Sequence, residues 1–118
     1  MAVTAGFKSL IVWQKSMELA DVIFILTKRF PREELYGLTS QMRRAAISIP
    51  SNIAEGSRRT SRKDYAQFLR IACGSAVELE TQLLLASKWY PDVSTTNALS
   101  LVIEIEKMLS AILRKISE

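Results

Sequence analysis

One stretch limits this chain more than any other. Tyr65, Leu69, Ala72, Ala76, Leu79, Leu83, Ala86 and Tyr90 recur at intervals of 4, 3, 4, 3, 4, 3 and 4 residues. Only a helix keeps such a row on one side, and the alternation of fours and threes is the a/d seam of a helix that follows a partner along its length. Ser61 followed by Asp64 reads as a carboxylate variant of the capping box at its start. Pro91 closes it, since proline lacks the amide hydrogen and restricts the residue before it. Ala72, Gly74, Ser75 and Ala76 are small enough to permit close helix approach. A helix this long, in a chain of 118 residues, needs other helices to cover it.

Three further segments supply them. A helix is predicted to begin near Leu10 to Trp13 and to run to about Arg29, stopped by Phe30-Pro31. It carries two adjacent apolar stripes. One is Val12, Leu19, Ile23, Leu26 and Phe30. The other is Trp13, Met17, Ala20 and Phe24. Together they are wider than one partner requires. The next helix starts near Leu38 to Ser40, with Thr39 or Ser40 as candidate cap, and Leu38, Met42, Ala45 and Ile49 inward. Pro50 inside this pattern is expected to kink the helix or force a restart, with Ser51 and Asn52 satisfying freed backbone groups. Gly56 reads as its C-terminal stop. The last helix, capped within Ser94 to Thr96, places Ala98, Val102, Ile105, Leu109, Ile112 and Ile116 on one stripe, widened by Leu101, Ile103, Met108 and Leu113. The fold class expected is all-α: an antiparallel up-and-down four-helix bundle, one domain over residues 1–118, with residues 1–9 as a flexible lead.

The charge is unevenly distributed. Gln41 through Arg70 holds 7 Lys+Arg against 2 Asp+Glu, whereas the rest of the chain holds 9 against 10, so the net +4 is local. Arg43, Arg44, Arg58, Arg59, Arg62 and Lys63 are the candidate contacts to a polyanion. Arg58, Arg59, Arg62 and Lys63 surround a helix start, where amides and the helix dipole favour anions. Arg43 and Arg44 have an alternative, pairing within or between subunits with Glu55 or with Glu78 and Glu80. A solvated basic face is the alternative for the rest. Stacking residues for single strands are few: Tyr36 and Tyr65 flank the basic run, but Tyr65 belongs to the seam.

Catalysis finds little support. The sequence has no histidine, one cysteine, no glycine-rich phosphate loop and no Gly-x-Ser-x-Gly. Glu78 and Glu80 stand about 200° apart on a helix and are not a dyad. Cys73 reads as a small buried residue rather than a nucleophile. No cofactor, metal, disulfide or membrane span is expected, no signal peptide is read at the start, and the expected location is cytoplasmic.

The residues also carry a resemblance. Val12-Trp13-Gln14-Lys15 and Met17-Glu18-Leu19-Ala20 open it. Tyr36-Gly37-Leu38-Thr39-Ser40-Gln41-Met42-Arg43-Arg44-Ala45-Ala46 continues it, and Ser48-Ile49-Pro50-Ser51-Asn52-Ile53-Ala54-Glu55-Gly56 is its most specific part. Ser61, Lys63-Asp64-Tyr65, Phe68-Leu69, Ala72, Gly74-Ser75 and Glu78-Leu79-Glu80-Thr81-Gln82-Leu83 extend it. Over about residues 9–115 the chain resembles the bacterial four-helix-bundle proteins encoded in 23S rRNA intervening sequences. Cys73 and the Trp89-Tyr90-Pro91 close of the third helix depart from that pattern. The resemblance implies a homo-oligomeric ring, commonly a pentamer. A related branch, the accessory protein of diversity-generating retroelements, binds nucleic acid and a reverse transcriptase. The expectation is therefore a non-catalytic bundle that binds RNA or DNA through its basic residues. The alternatives are a scaffold for a protein partner such as a polymerase, and a selfish-element passenger without a host role.

Overall fold

The computed structural model describes residues 6–117. Four helices account for most of them: α1 (Ile11–Thr27), α2 (Leu38–Ser57), α3 (Arg62–Trp89) and α4 (Thr96–Ser117). Each packs on two neighbours, α1 on α2, α2 on α3, α3 on α4 and α4 back on α1, so α1 and α3 lie on one diagonal. Neighbours run in opposite directions. Thr27 near the end of α1 meets Arg43 near the start of α2, and Arg70 early in α3 shares a cavity with Arg114 late in α4. The result is an elongated body of 46 × 27 × 22 Å.

The core follows the predicted seam. Leu69, Ala72, Ala76, Leu79, Leu83 and Ala86 of α3 are fully buried, and Tyr65 and Tyr90 at its ends are half-buried. They meet Met42, Ile49 and Ile53 of α2, Leu19 and Ile23 of α1, and Val102, Ile105 and Leu109 of α4. Burying one such large aliphatic side chain contributes about 1.5–3 kcal/mol. The second stripe of α1 is only partly used: Trp13 and Ala20 are half-buried, Met17 and Phe24 exposed.

The helix ends differ in part from expectation. At α3 the Asp64 amide donates to Ser61 Oγ at 3.0 Å, the predicted cap. At α2 neither Thr39 nor Ser40 is the cap. The helix begins at Leu38, whose amide donates to Glu34 Oε1 at 3.2 Å. α1 ends at Thr27 rather than Arg29, because Lys28, Arg29 and Phe30 close a tighter last turn onto carbonyls three residues back. Residues 6–9 of the expected flexible lead form a short 3-10 turn, with Phe7 packed edge-on against Trp13 at 5.2 Å. The other residues of that lead, 1–5, lie outside the described residues.

α2 is continuous through Pro50, so no restart occurs. The ring is buried, and neighbouring side chains bond the carbonyls beside the gap in the ladder. Ser51 Oγ donates to the Ile47 carbonyl at 2.8 Å, and Asn52 Nδ2 to the Ser48 carbonyl at 2.8 Å. Gly56 is not the stop either. It lies inside α2, one residue before its end, against α3.

A carboxyl pair stands between α3 and α4. Burial, then hydrogen bonding and repulsion from Glu80, push the Glu106 carboxyl up to about 7. With both groups ionised neither can donate, and Glu106 Oε2 is buried without a partner; protonation supplies the missing hydrogen. The folded value lies above the ordinary 4.5. The stability this gives is therefore fully present below about pH 4.5 and is lost as pH rises through about 7. Nearby solvent screens the pair, so a loss of about 1 kcal/mol is expected. Thermal melts at pH 5 and 8 should show it in the parent chain and not in Glu106→Gln, which supplies a permanent donor. Equal pH dependence in both would contradict the assignment. Burial, and secondarily the charge of Glu106, push the nearby Cys73 thiol up, which disfavours the nucleophilic thiolate.

Candidate nucleic-acid interface

The antiparallel order brings distant cations to one end of the bundle. Arg58 and Arg59 follow α2, Arg62 and Lys63 open α3, Arg114 and Lys115 lie in the last turn of α4, and Lys8 lies in the turn before α1. Arg70 joins them, lining a cavity of about 400 Å³ with Leu113, Arg114 and Ser117. The carboxylates flanking the α2–α3 connection are Glu55 and Asp64. Glu55 is already paired: its Oε2 accepts from Arg59 Nη2 at 3.2 Å. Lys8, Arg114 and Lys115 are functional candidates that the sequence reading did not single out. Their signal was available only jointly, since up-and-down topology is what sets the last turn of α4 beside the α2–α3 connection.

The basic side chains are held to different degrees. Arg58 stands 5.8 Å from the Phe7 ring, and Arg59 stacks at 4.7 Å over Phe68 while pairing with Glu55. These contacts are open, and the ion pair is exposed on both sides, so they orient the guanidinium groups without neutralising them. Arg62 and Lys63 are exposed, with no ion pair among the described residues. The α3 amino end is less open to an outside anion than its position suggests, because Ser61 takes the Asp64 amide and Asp64 adds its own carboxylate to the first turn.

Arg43 and Arg44 belong elsewhere. They lie 15 and 14 residues from Arg58 along α2, about 21–22 Å of helix rise, so the six predicted residues do not form one patch. Arg43 is half-buried. Its Nε donates to Thr27 Oγ1 at 2.9 Å, one Nη donates to the Phe24 carbonyl at 3.4 Å, and the guanidinium stacks 4.6 Å from the Phe24 ring. Within the chain it pairs with neither Glu55 nor Glu78 and Glu80; among the described residues the ion pairs are Lys15–Glu104 and Arg59–Glu55. Arg44 is exposed. Of the aromatic candidates, Tyr36 is 92 % exposed but sits in the α1–α2 connection, at the end away from Arg58.

Among the described residues no group of three or more His, Cys, Asp or Glu side chains is placed to hold a metal ion. None of the described helices is long and apolar enough to cross a membrane.

Comparison with curated proteins gives no match. The family model of the 23S rRNA-intervening sequence protein matches residues 8–111. That span runs from the turn before α1 through most of α4, and stops short of Arg114 and Lys115 in the last turn of α4. The chain therefore belongs to the 23S rRNA-intervening sequence protein family.

Proposed function

We propose that this protein is a non-catalytic, ring-forming bundle whose basic end binds RNA or DNA by its phosphates. The observation that carries the reading is the gathering of Lys8, Arg58, Arg59, Arg62, Lys63, Arg70, Arg114 and Lys115 at one end of a chain whose other residues carry a net negative charge. Cations on open stems displace the counterions condensed on a nucleic acid, and that release drives association with little regard to sequence. Arg43 and Arg44 lie outside this face.

Self-association rests on a second observation. Exposed apolar residues concentrate on the diagonal helices. Met17, Phe24 and Ile25 lie on α1, and Ile71, Val77 and Leu84 on α3. An apolar groove of about 400 Å³ beside the first set is lined by Trp13, Met17, Ile47 and Pro50. Two different patches on opposite sides of one protomer suit head-to-tail contacts, which close into a ring. Five protomers is the number the family resemblance implies. A ring would repeat the basic end and raise the affinity of a weak single contact through effective concentration.

The test is fluorescence anisotropy with labelled single- and double-stranded RNA and DNA across a salt series. Four phosphate contacts predict about a 100-fold loss of affinity for duplex between 50 and 200 mM salt. Changing Arg58, Arg59, Arg62 and Lys63 together to Ala should flatten that dependence while leaving the oligomeric mass unchanged. Absence of binding to all four nucleic acids at low salt, by an intact oligomer, would turn the reading toward a protein partner.

A further inference from the structure

The opposite end of the bundle holds a separate charged feature. The carboxyl end of α1, the turn after it and the start of α2 border an open cavity of about 320 Å³, whose polar lining is Thr27, Lys28, Arg32, Thr39 and Arg43 and whose apolar wall is Phe30, Pro31 and Leu35. Lys28 Nζ and Arg43 Cζ each lie 4.6 Å from the centroid of the Phe24 ring, so the two charges stand within twice that distance of each other. Arg32 faces the same space. None of the three has an ion-pair partner among the described residues. Among the described residues no carboxylate lines the cavity. The nearest in sequence are Glu33, which is exposed, and Glu34, whose oxygens accept from the Leu38 amide and the Tyr90 hydroxyl.

Part of this charge has an internal explanation. Cations stabilise the carboxyl end of a helix, and Arg43 bonds the Phe24 carbonyl and the Thr27 hydroxyl there. Those bonds fix the guanidinium by its Nε and one Nη, and leave its Nη1 hydrogens without a described partner. Thr39, only 4 % exposed, lines the cavity and makes no side-chain hydrogen bond among the described residues. A held guanidinium, two further cations and a hydroxyl around one cavity are the parts of an oxyanion receptor.

We propose that this cavity binds a dianionic phosphate monoester. Three cationic residues lining one cavity match a doubly charged terminal phosphate better than the single charge of a diester, which separates this site from the basic end described above. The inference does not rest on nucleic-acid binding there. The phosphate has two sources, a small phosphorylated molecule or the 5′-phosphate of a nucleic-acid end.

The probe is inorganic phosphate, titrated into the intact protein near pH 7.5. Binding is followed by nitrogen–proton NMR at the Arg43 Nε–H and the Thr27 and Thr39 amides, and by calorimetry. Saturable shifts confined to this corner are expected. The exposed pair Lys28→Ala and Arg32→Ala should weaken binding about tenfold per side chain. Thr39→Val is a second, nearly isosteric variant that removes only the hydroxyl and should also weaken it. Changing Arg58, Arg59, Arg62 and Lys63 to Ala should leave the titration unmoved. A 5′-phosphorylated oligonucleotide that binds more tightly than its 5′-hydroxyl counterpart, with the excess lost in the Lys28/Arg32 variant, assigns the phosphate to a nucleic-acid end. Equal binding of the two oligonucleotides, with inorganic phosphate still bound, assigns it to a small molecule. Absence of saturable shifts, or shifts that persist in both variants, overturns the proposal.

Discussion

Replacing Gly56 by alanine is expected to destabilise the fold, although alanine is the better helix former. A Cβ built at this position meets Phe68 Cβ at 2.7 Å and Tyr65 Cδ1 at 3.1 Å. The first contact is closer than two carbons approach, and Phe68 Cβ is the fixed root of a side chain that cannot swing away. The α2–α3 crossing must therefore open beside the connection that joins the two helices. Overpacking of this kind costs about 1–3 kcal/mol, against a helix-propensity gain of up to about 1 kcal/mol. For a domain of this size the midpoint of thermal unfolding should fall by several degrees. Valine, with two further methyl groups and a stiff χ1, should cost more. Because Arg58, Arg59, Arg62 and Lys63 hang on this crossing, nucleic-acid affinity should weaken in step. An unchanged or raised melting temperature for Gly56→Ala would show that the two helices are not held at this distance.

The same glycine marks where sequence reading stops. The seam from Tyr65 to Tyr90 was legible because burial in a helix bundle imposes a period, and a period survives in one sequence. Leu69 through Ala86 are buried as that period requires. Ser61 was legible because a cap acts over three residues. Gly56 was not, since a glycine that ends a helix and a glycine that admits a neighbouring helix look alike until Phe68 is placed against it. Pro50 left a kink and a restart open for a related reason, and the restart does not occur. The missing amide is local and predictable, as are the carbonyl bonds that Ser51 and Asn52 make four residues back, but the burial of the ring is a tertiary outcome, and α2 stays whole. Arg43 looked like Arg58 in a count of charges. It differs because Thr27 and Phe24, 16 and 19 residues earlier, come to lie beside it. Half of the basic end was equally hidden, since Arg114 and Lys115 join it only through the return of α4.

Placing arginine at both Val77 and Leu84 should convert the native assembly to single chains, as read by size exclusion with light scattering. Both residues are about half exposed on α3, so the protomer fold should survive, with unchanged helical circular dichroism. A charge trapped in an apolar contact between copies, by contrast, costs several kcal/mol. Gly74, on the same helix, sharpens the argument. A glycine in a helix interior costs about 0.5–1 kcal/mol relative to alanine, and a Cβ at Gly74 meets nothing within 4 Å among the described residues. No contact among the described residues accounts for it, whereas Gly56 has Phe68. A neighbouring copy packed on α3 would account for it, because close approach of a second surface is what an absent side chain permits. Gly74→Ala should therefore raise the stability of the dissociated Val77/Leu84 variant by about 0.5–1 kcal/mol, while Gly74→Leu in the parent background should weaken assembly. A parent protein that already runs as a single chain at micromolar concentration, or an arginine variant that keeps the parent mass, would remove α3 as a subunit contact and with it the repetition of the basic end.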